Sequence, residues 1–139
     1  QGVLKLADFG SIVGSKLSKS QMMVGTPAYM APETVIGSQA AHADPITTKS
    51  DIWSFGCTLL FMITGRRPWH DIDNDFAILY QLGSTDKLPT MPGQFLVPTE
   101  CVDMMMDCLR RSPAERPSAQ VLLEEHKFLR NPSSFKYYY

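Results

Sequence analysis

The sequence predicts a mainly α-helical fold preceded by one or two short strands, and three observations predict it. Four segments carry apolar residues at helical spacing behind a capping residue, and several of them stop at glycine. The only β-leaning run, Val3-Leu4-Lys5-Leu6, lies at the N-terminal end. Apolar residues make up 44% of the 139 positions, and Gly plus Pro amounts to only 9 and 10 residues, well below the share of a low-complexity chain. The chain is therefore expected to bury a core.

The Val3–Leu6 run ends at Asp8-Phe9-Gly10, where glycine permits a turn. Residues 11–24 hold four serines, two lysines and a glycine with little periodicity, which reads as a loop. Pro32 suits a first helical position, so Ala31-Pro32-Glu33 opens a short helical turn through Ile36, ended by Gly37. Residues 38–47 are small and polar with one Asp-Pro pair, a surface connection. Thr48 with Asp51 three residues later resembles an N-cap pair for a helix Lys49–Thr64 that stops at Gly65. Its middle is apolar nearly all round, so it is expected to sit inside other structure. Asp73 is expected to cap a second helix, with Phe76, Leu79 and Tyr80 on its inner face and Gly83 at its end. Pro89 and Pro92 enforce an extended link. Thr99 is expected to cap a third helix with Val102, Met105, Met106 and Leu109 inward, and Ser118 a fourth with Val121 and Leu122 inward.

Charge and cysteine usage narrow the function. With 13 Lys+Arg against 14 Asp+Glu, the formal net charge is -1, so broad attraction to nucleic acid or an anionic membrane is not expected. The longest strongly apolar stretch, Trp53–Ile63, is interrupted by Ser54, Gly56 and Thr58 and falls short of the roughly 20 residues that cross a bilayer. Cys57, Cys101 and Cys108 form no Cys-x-x-Cys pair, which indicates neither a disulfide framework nor a zinc site and suits a reduced, cytoplasmic setting. His42, His70 and His126 share no ligand spacing. Because Gln1 replaces an initiator Met and a strand follows at once, the chain is expected to be a piece of a longer one.

Asp8-Phe9-Gly10 alone is a weak signal for a carboxylate that reaches Mg²⁺ at a turn. It is followed, in order, by Gly25-Thr26-Pro27-Ala28-Tyr29-Met30-Ala31-Pro32-Glu33 and by Ser50-Asp51-Ile52-Trp53-Ser54-Phe55-Gly56. With these three signatures the chain resembles the eukaryotic protein kinases, specifically the C-terminal helical lobe of their catalytic domain, from the magnesium-binding strand onward. The resemblance runs from Val3 to about Leu129, where Lys127 stands in place of a usual proline. Thr64–Trp69 and Arg110–Pro117 look most like the mitogen-activated protein kinase kinase kinase group.

That resemblance implies an incomplete kinase domain: residues 1–10 a magnesium-binding strand and turn, 11–33 an activation and substrate-binding segment, 34–129 the helical lobe, 130–139 a tail. It implies ATP and Mg²⁺ as cofactors, with Asp8 the metal ligand and Phe9 and Gly10 beside it. Ser20, then Ser18 and Ser15, are activation-loop phosphosite candidates, since a phosphate there adds charge that a basic cluster can hold. Thr26 would lie beside the catalytic base and favour Ser/Thr specificity, and Gly25, Thr26, Pro27, Ala28 and Tyr29 would line the pocket for the peptide residue after the phosphoacceptor. Glu33 and Arg116 would form a structural ion pair, and Asp51 would orient the catalytic loop, although as a first-turn carboxylate it also suits the helix dipole. The run Asp71, Asp73, Asp75 reads first as dipole compensation, and Met104–Met106 as core filling.

No Gly-rich loop, strand lysine or His-Arg-Asp loop occurs in these 139 residues. The missing N-terminal part of the same domain is thus an expected partner, beside a Ser/Thr protein substrate, and the fragment is expected to be inactive alone. The alternative is a pseudokinase or scaffold lobe that binds proteins without phosphoryl transfer. Tyr137-Tyr138-Tyr139 carry no assignable role.

Overall fold

A computed structural model describes residues 25–36, 47–91, 93 and 97–130, together with 3, 5 and 7. The predicted turn at Asp8-Phe9-Gly10, the serines Ser15, Ser18 and Ser20, Gly37, the connection up to residue 46, Pro92 and the tail after Arg130 fall outside the described residues, as do Leu4 and Leu6 of the predicted strand. Among the described residues every regular element is a helix. In chain order, a 3₁₀ turn Pro27–Tyr29 leads into α1 (Pro32–Ile36), α2 (Thr48–Thr64), α3 (Asp75–Ser84), α4 (Thr99–Cys108), a 3₁₀ turn Pro113–Glu115, α5 (Ala119–Glu125) and α6 (Lys127–Arg130).

The long helix α2 is the pillar. Thr47, in extended backbone, caps it by accepting from the Lys49 N–H at 3.2 Å, so the cap is one residue earlier than the predicted Thr48. Both neighbours are threonines, and only the backbone decides which hydroxyl reaches an unpaired amide. The helix ends where predicted. Gly65 adopts the left-handed φ of 66° and returns its N–H to the Phe61 carbonyl at 2.8 Å.

One side of α2 is dry. Trp53, Cys57 and Leu60 are buried with Met104, Met105, Cys108 and Leu109 of the α4 segment. Gly56 makes this approach possible: a Cβ there would lie 2.8 Å from the Cys108 Cβ and 3.0 Å from Leu109. Among the described residues the α4 segment walls one side of α2 and leaves part of its apolar surface open. Phe55, Phe61 and Met62 are exposed, Met62 at 72%, because the packed face turns toward α4 and away from them.

Further expectations change. The α3 helix begins at Asp75 and is capped by Asn74, whose Oδ1 accepts from the Phe76 N–H at 2.8 Å; Asp73 lies outside it, and Gly83 is within it, near Val35 of α1. Its inner face is Ile78 and Leu82, both 0% exposed, while Phe76 at 81% and Tyr80 point outward. This helix carries two apolar stripes, and only contact with α1 and the Pro27–Tyr29 turn chooses between them. The α4 helix starts after Pro98, whose carbonyl accepts from Cys101 and Val102, so Thr99 is its first residue and not its cap. Met104 and Met105 are core, whereas Met106 and, on α5, Val121 are exposed. Ser118 does cap α5, accepting from Val121 N–H at 3.1 Å, and Leu122 points inward. No helix among the described residues is long and apolar enough to cross a membrane.

Candidate functional site

The predicted substrate segment begins at Gly25, whose φ of 133° is a conformation L side chains rarely adopt. Thr26 follows in extended backbone, and its carbonyl accepts from Tyr29 N–H at 2.9 Å, closing the 3₁₀ turn. Pro27 enters that turn at its first position, where no N–H is needed. Gly25 and Thr26 are exposed, Ala28 is 1% exposed, and Tyr29 is half-buried. The segment therefore shows an open edge at Gly25–Thr26 and is rooted at Ala28.

Two bonds fasten this segment to α2. The Ser54 hydroxyl donates to the Tyr29 carbonyl at 2.8 Å. Four residues on in the segment, Glu33 accepts from the Ser50 hydroxyl at 2.7 Å, one turn back along the same helix.

Glu33 also receives Arg116 face to face: Nη1 donates to Oε1 at 2.7 Å and Nη2 to Oε2 at 2.8 Å. The guanidinium has five N–H donors, and all are used. Nε donates to the Arg110 carbonyl at 2.7 Å, the second Nη1 hydrogen to Lys49 O at 2.8 Å, and the second Nη2 hydrogen to Arg111 O at 3.0 Å. The Lys49 ammonium in turn donates to the Arg116 carbonyl. Arg116 lies over the Trp53 ring, 5.1 Å from its centre, which adds a cation–π contact.

Both charges are buried, the glutamate at 3% and the arginine at 1% exposure. Burial by itself raises the Glu33 pKa. Hydrogen bonds from Arg116 and Ser50, with the arginine's charge, outweigh it and hold the carboxyl below its ordinary value. Nearby, burial pushes the Cys57 thiol up to about 12 against the opposing Arg116 charge, and burial with Asp107 pushes Cys108 up to about 12. All three cysteines are free and buried, so these thiols behave as packing groups.

The structure thus brings together Ala28, Tyr29, Glu33 and Arg116 of the residues predicted from sequence. Asp51 is exposed in the first turn of α2. In the acidic run, Asp71 accepts from Thr90 at 2.5 Å and Asp75 lies 3.7 Å from Arg67. Sequence reasoning missed Ser50 and Ser54 as site residues. Their signal was present: two hydroxyls four apart interrupt an otherwise apolar helix face. The carbonyls of Arg110 and Arg111 had no such signal, since any residue supplies one. A groove of about 480 Å³ between α4 and α6, lined by Glu100, Asp103, Met106 and Lys127, includes none of the predicted site residues. Among the described residues no group of three or more His, Cys, Asp or Glu could hold a metal ion.

Comparison with known proteins agrees with this arrangement. The Dictyostelium discoideum protein called mitogen-activated protein kinase kinase kinase A is 36% identical over 133 residues, covering 94% of this chain and 13% of its own length. Arabidopsis thaliana mitogen-activated protein kinase kinase kinase 2 is 35% identical, covering 93% of the chain and 19% of its own. Human mitogen-activated protein kinase kinase kinase 4 is 36% identical, covering 93% and 8%. The chain therefore spans less than a fifth of the length of these relatives. The family described as protein kinase domain matches residues 1–129, and the chain belongs to that family, as part of its helical C-terminal lobe.

Proposed function

We propose that this chain is the C-terminal part of a serine/threonine protein kinase domain, which transfers the γ-phosphoryl group of Mg-ATP to protein hydroxyls in a signalling cascade. The observation that supports the reading best is the double fastening of the Gly25–Glu33 segment, by Ser54 at Tyr29 and by Arg116 and Ser50 at Glu33. Phosphoryl transfer depends on positioning and charge neutralisation, so a segment that receives the substrate must be held rigidly. Thr26 and Gly25 form its exposed edge.

In this reading Asp8 would supply the hard oxygen donor that Mg²⁺ requires, with Phe9 the packing residue whose placement separates active from inactive states and Gly10 permitting the turn. ATP would supply the electrophilic phosphoryl group, and the metal would neutralise the charge on its oxygens. Ser20, Ser18 and Ser15 are the phosphate-accepting candidates of the activation loop, and Asp51 steadies the catalytic loop of the preceding part of the domain. That part also covers the exposed Phe55, Phe61 and Met62 of α2. The division into residues 1–10, 11–33, 34–129 and 130–139 follows, the protein acts in the cytoplasm, and the chain alone is inactive because the catalytic base lies outside it.

The test is Asp8→Ala in the full-length protein. Loss of protein phosphorylation by about three orders of magnitude is expected, because the metal clamp is removed. Undiminished phosphorylation overturns the reading. An inactive wild type that still captures protein partners points instead to a pseudokinase scaffold.

A further inference from the structure

We propose that Ser54 is a positioning residue for peptide selectivity, acting through the Tyr29 carbonyl on the pocket for the residue after the phosphoacceptor; this rests on the kinase reading above. A serine or threonine inside a helix ordinarily turns its hydroxyl back to the carbonyl four residues earlier. On α2 two residues do so: Thr58 bonds Ser54 O at 2.9 Å and Thr64 bonds Leu60 O at 2.7 Å.

Ser54 departs from them. Its oxygen lies 3.3 Å from Ser50 O but 2.8 Å from Tyr29 O. A hydroxyl has one proton, and the shorter contact to the other chain segment is the stronger bond. The spacing is matched on both sides: Ser54 and Ser50 are four apart on α2, and their acceptors Tyr29 and Glu33 are four apart on the segment.

The two serines divide the work. Glu33 is over-determined, since Arg116 holds both its oxygens, and it stays in place without Ser50. The Pro27–Tyr29 turn has Ser54 as its side-chain hydrogen bond to α2, while Ala28 is buried in the core and Tyr29 packs partly buried against it. Removing the Ser54 hydroxyl leaves the fold standing and lets the turn shift. A shift of that kind alters which side chain the pocket prefers more than it alters nucleotide chemistry.

The experiment compares Ser54→Ala and Ser54→Thr with wild type in the full-length protein. Two peptides identical except for the residue following the phosphoacceptor serve as substrates. With Ser54→Ala the ratio of their kcat/KM values is expected to fall by about three- to tenfold, the worth of one net hydrogen bond, while the KM for ATP stays within about twofold. Ser54→Thr, which keeps the hydroxyl, is expected to restore most of the ratio. An equal loss for both peptides, with the ratio unchanged, overturns the proposal. Hydrogen exchange gives a reading independent of activity: in Ser54→Ala the Tyr29 and Met30 amides are expected to exchange faster while those of α2 do not. Unaltered exchange at both amides also overturns it. A wild type that phosphorylates neither peptide defeats the kinase reading, and the proposal with it, whatever the exchange shows.

Discussion

The two ends of α2 are held by different physics. Around Ser50 and Trp53 the helix is tied by directed polar bonds, because a buried glutamate and arginine must have every donor and acceptor satisfied. Around Gly56 and Leu60 it is held by shape alone, with a missing side chain on one helix admitting Cys108 and Leu109 of the next segment. The first kind of contact fixes orientation and accepts only one partner geometry. The second tolerates any pair of surfaces of the right volume, so its sensitivity is to added or removed atoms and not to charge.

The largest expected effect breaks the polar end. Arg116→Ala strands Glu33 in the core and is expected to cost the intact domain about 3–5 kcal/mol by chemical denaturation. A matching pH dependence sharpens it. Glu33 has its pKa lowered on folding, so its contribution is fully present above its ordinary pKa near 4.5 and drains away as pH falls through the lower folded value. Glu33→Gln is expected to flatten that acid slope, and an unaltered slope would show that other carboxylates carry it.

The next effect belongs to the dry end. Gly56→Ala gains about 1 kcal/mol of helix propensity, yet its methyl would meet the Cys108 Cβ at a separation real Cβ atoms do not reach. Overpacking of this kind costs about 1–3 kcal/mol, so a net loss of stability without altered acid slope is expected. A more stable variant would mean that α4 slides easily against α2.

The smallest effects lie on α3, which neither end of α2 controls. Asn74→Ala is expected to lose about 1 kcal/mol, because its side chain caps the Phe76 amide. Phe76→Ala is expected to change stability by less than about 0.5 kcal/mol, since the ring is exposed. The reverse order in thermal melting would restore the inner face expected from sequence.

The chain's residue order alone determined the helical class, the positions of α1 and α2 to within a residue, the Gly65 stop and the identity of the protein kinase signatures. Those are local matters: proline at a helix start, glycine at φ 66°, apolar residues every third or fourth position. Resemblance also named Glu33 and Arg116 as partners across 83 residues, which no local periodicity reveals. Tertiary structure decided the rest. It chose Thr47 over Thr48 and Asn74 over Asp73, because a cap is a matter of which side chain reaches an amide. It turned Ile78 inward and Phe76 outward, because a helix with two apolar stripes buries whichever one meets a neighbour. And it directed the Ser54 hydroxyl across to Tyr29, because the nearest good acceptor belongs to a segment 25 residues away that only folding brings within 2.8 Å.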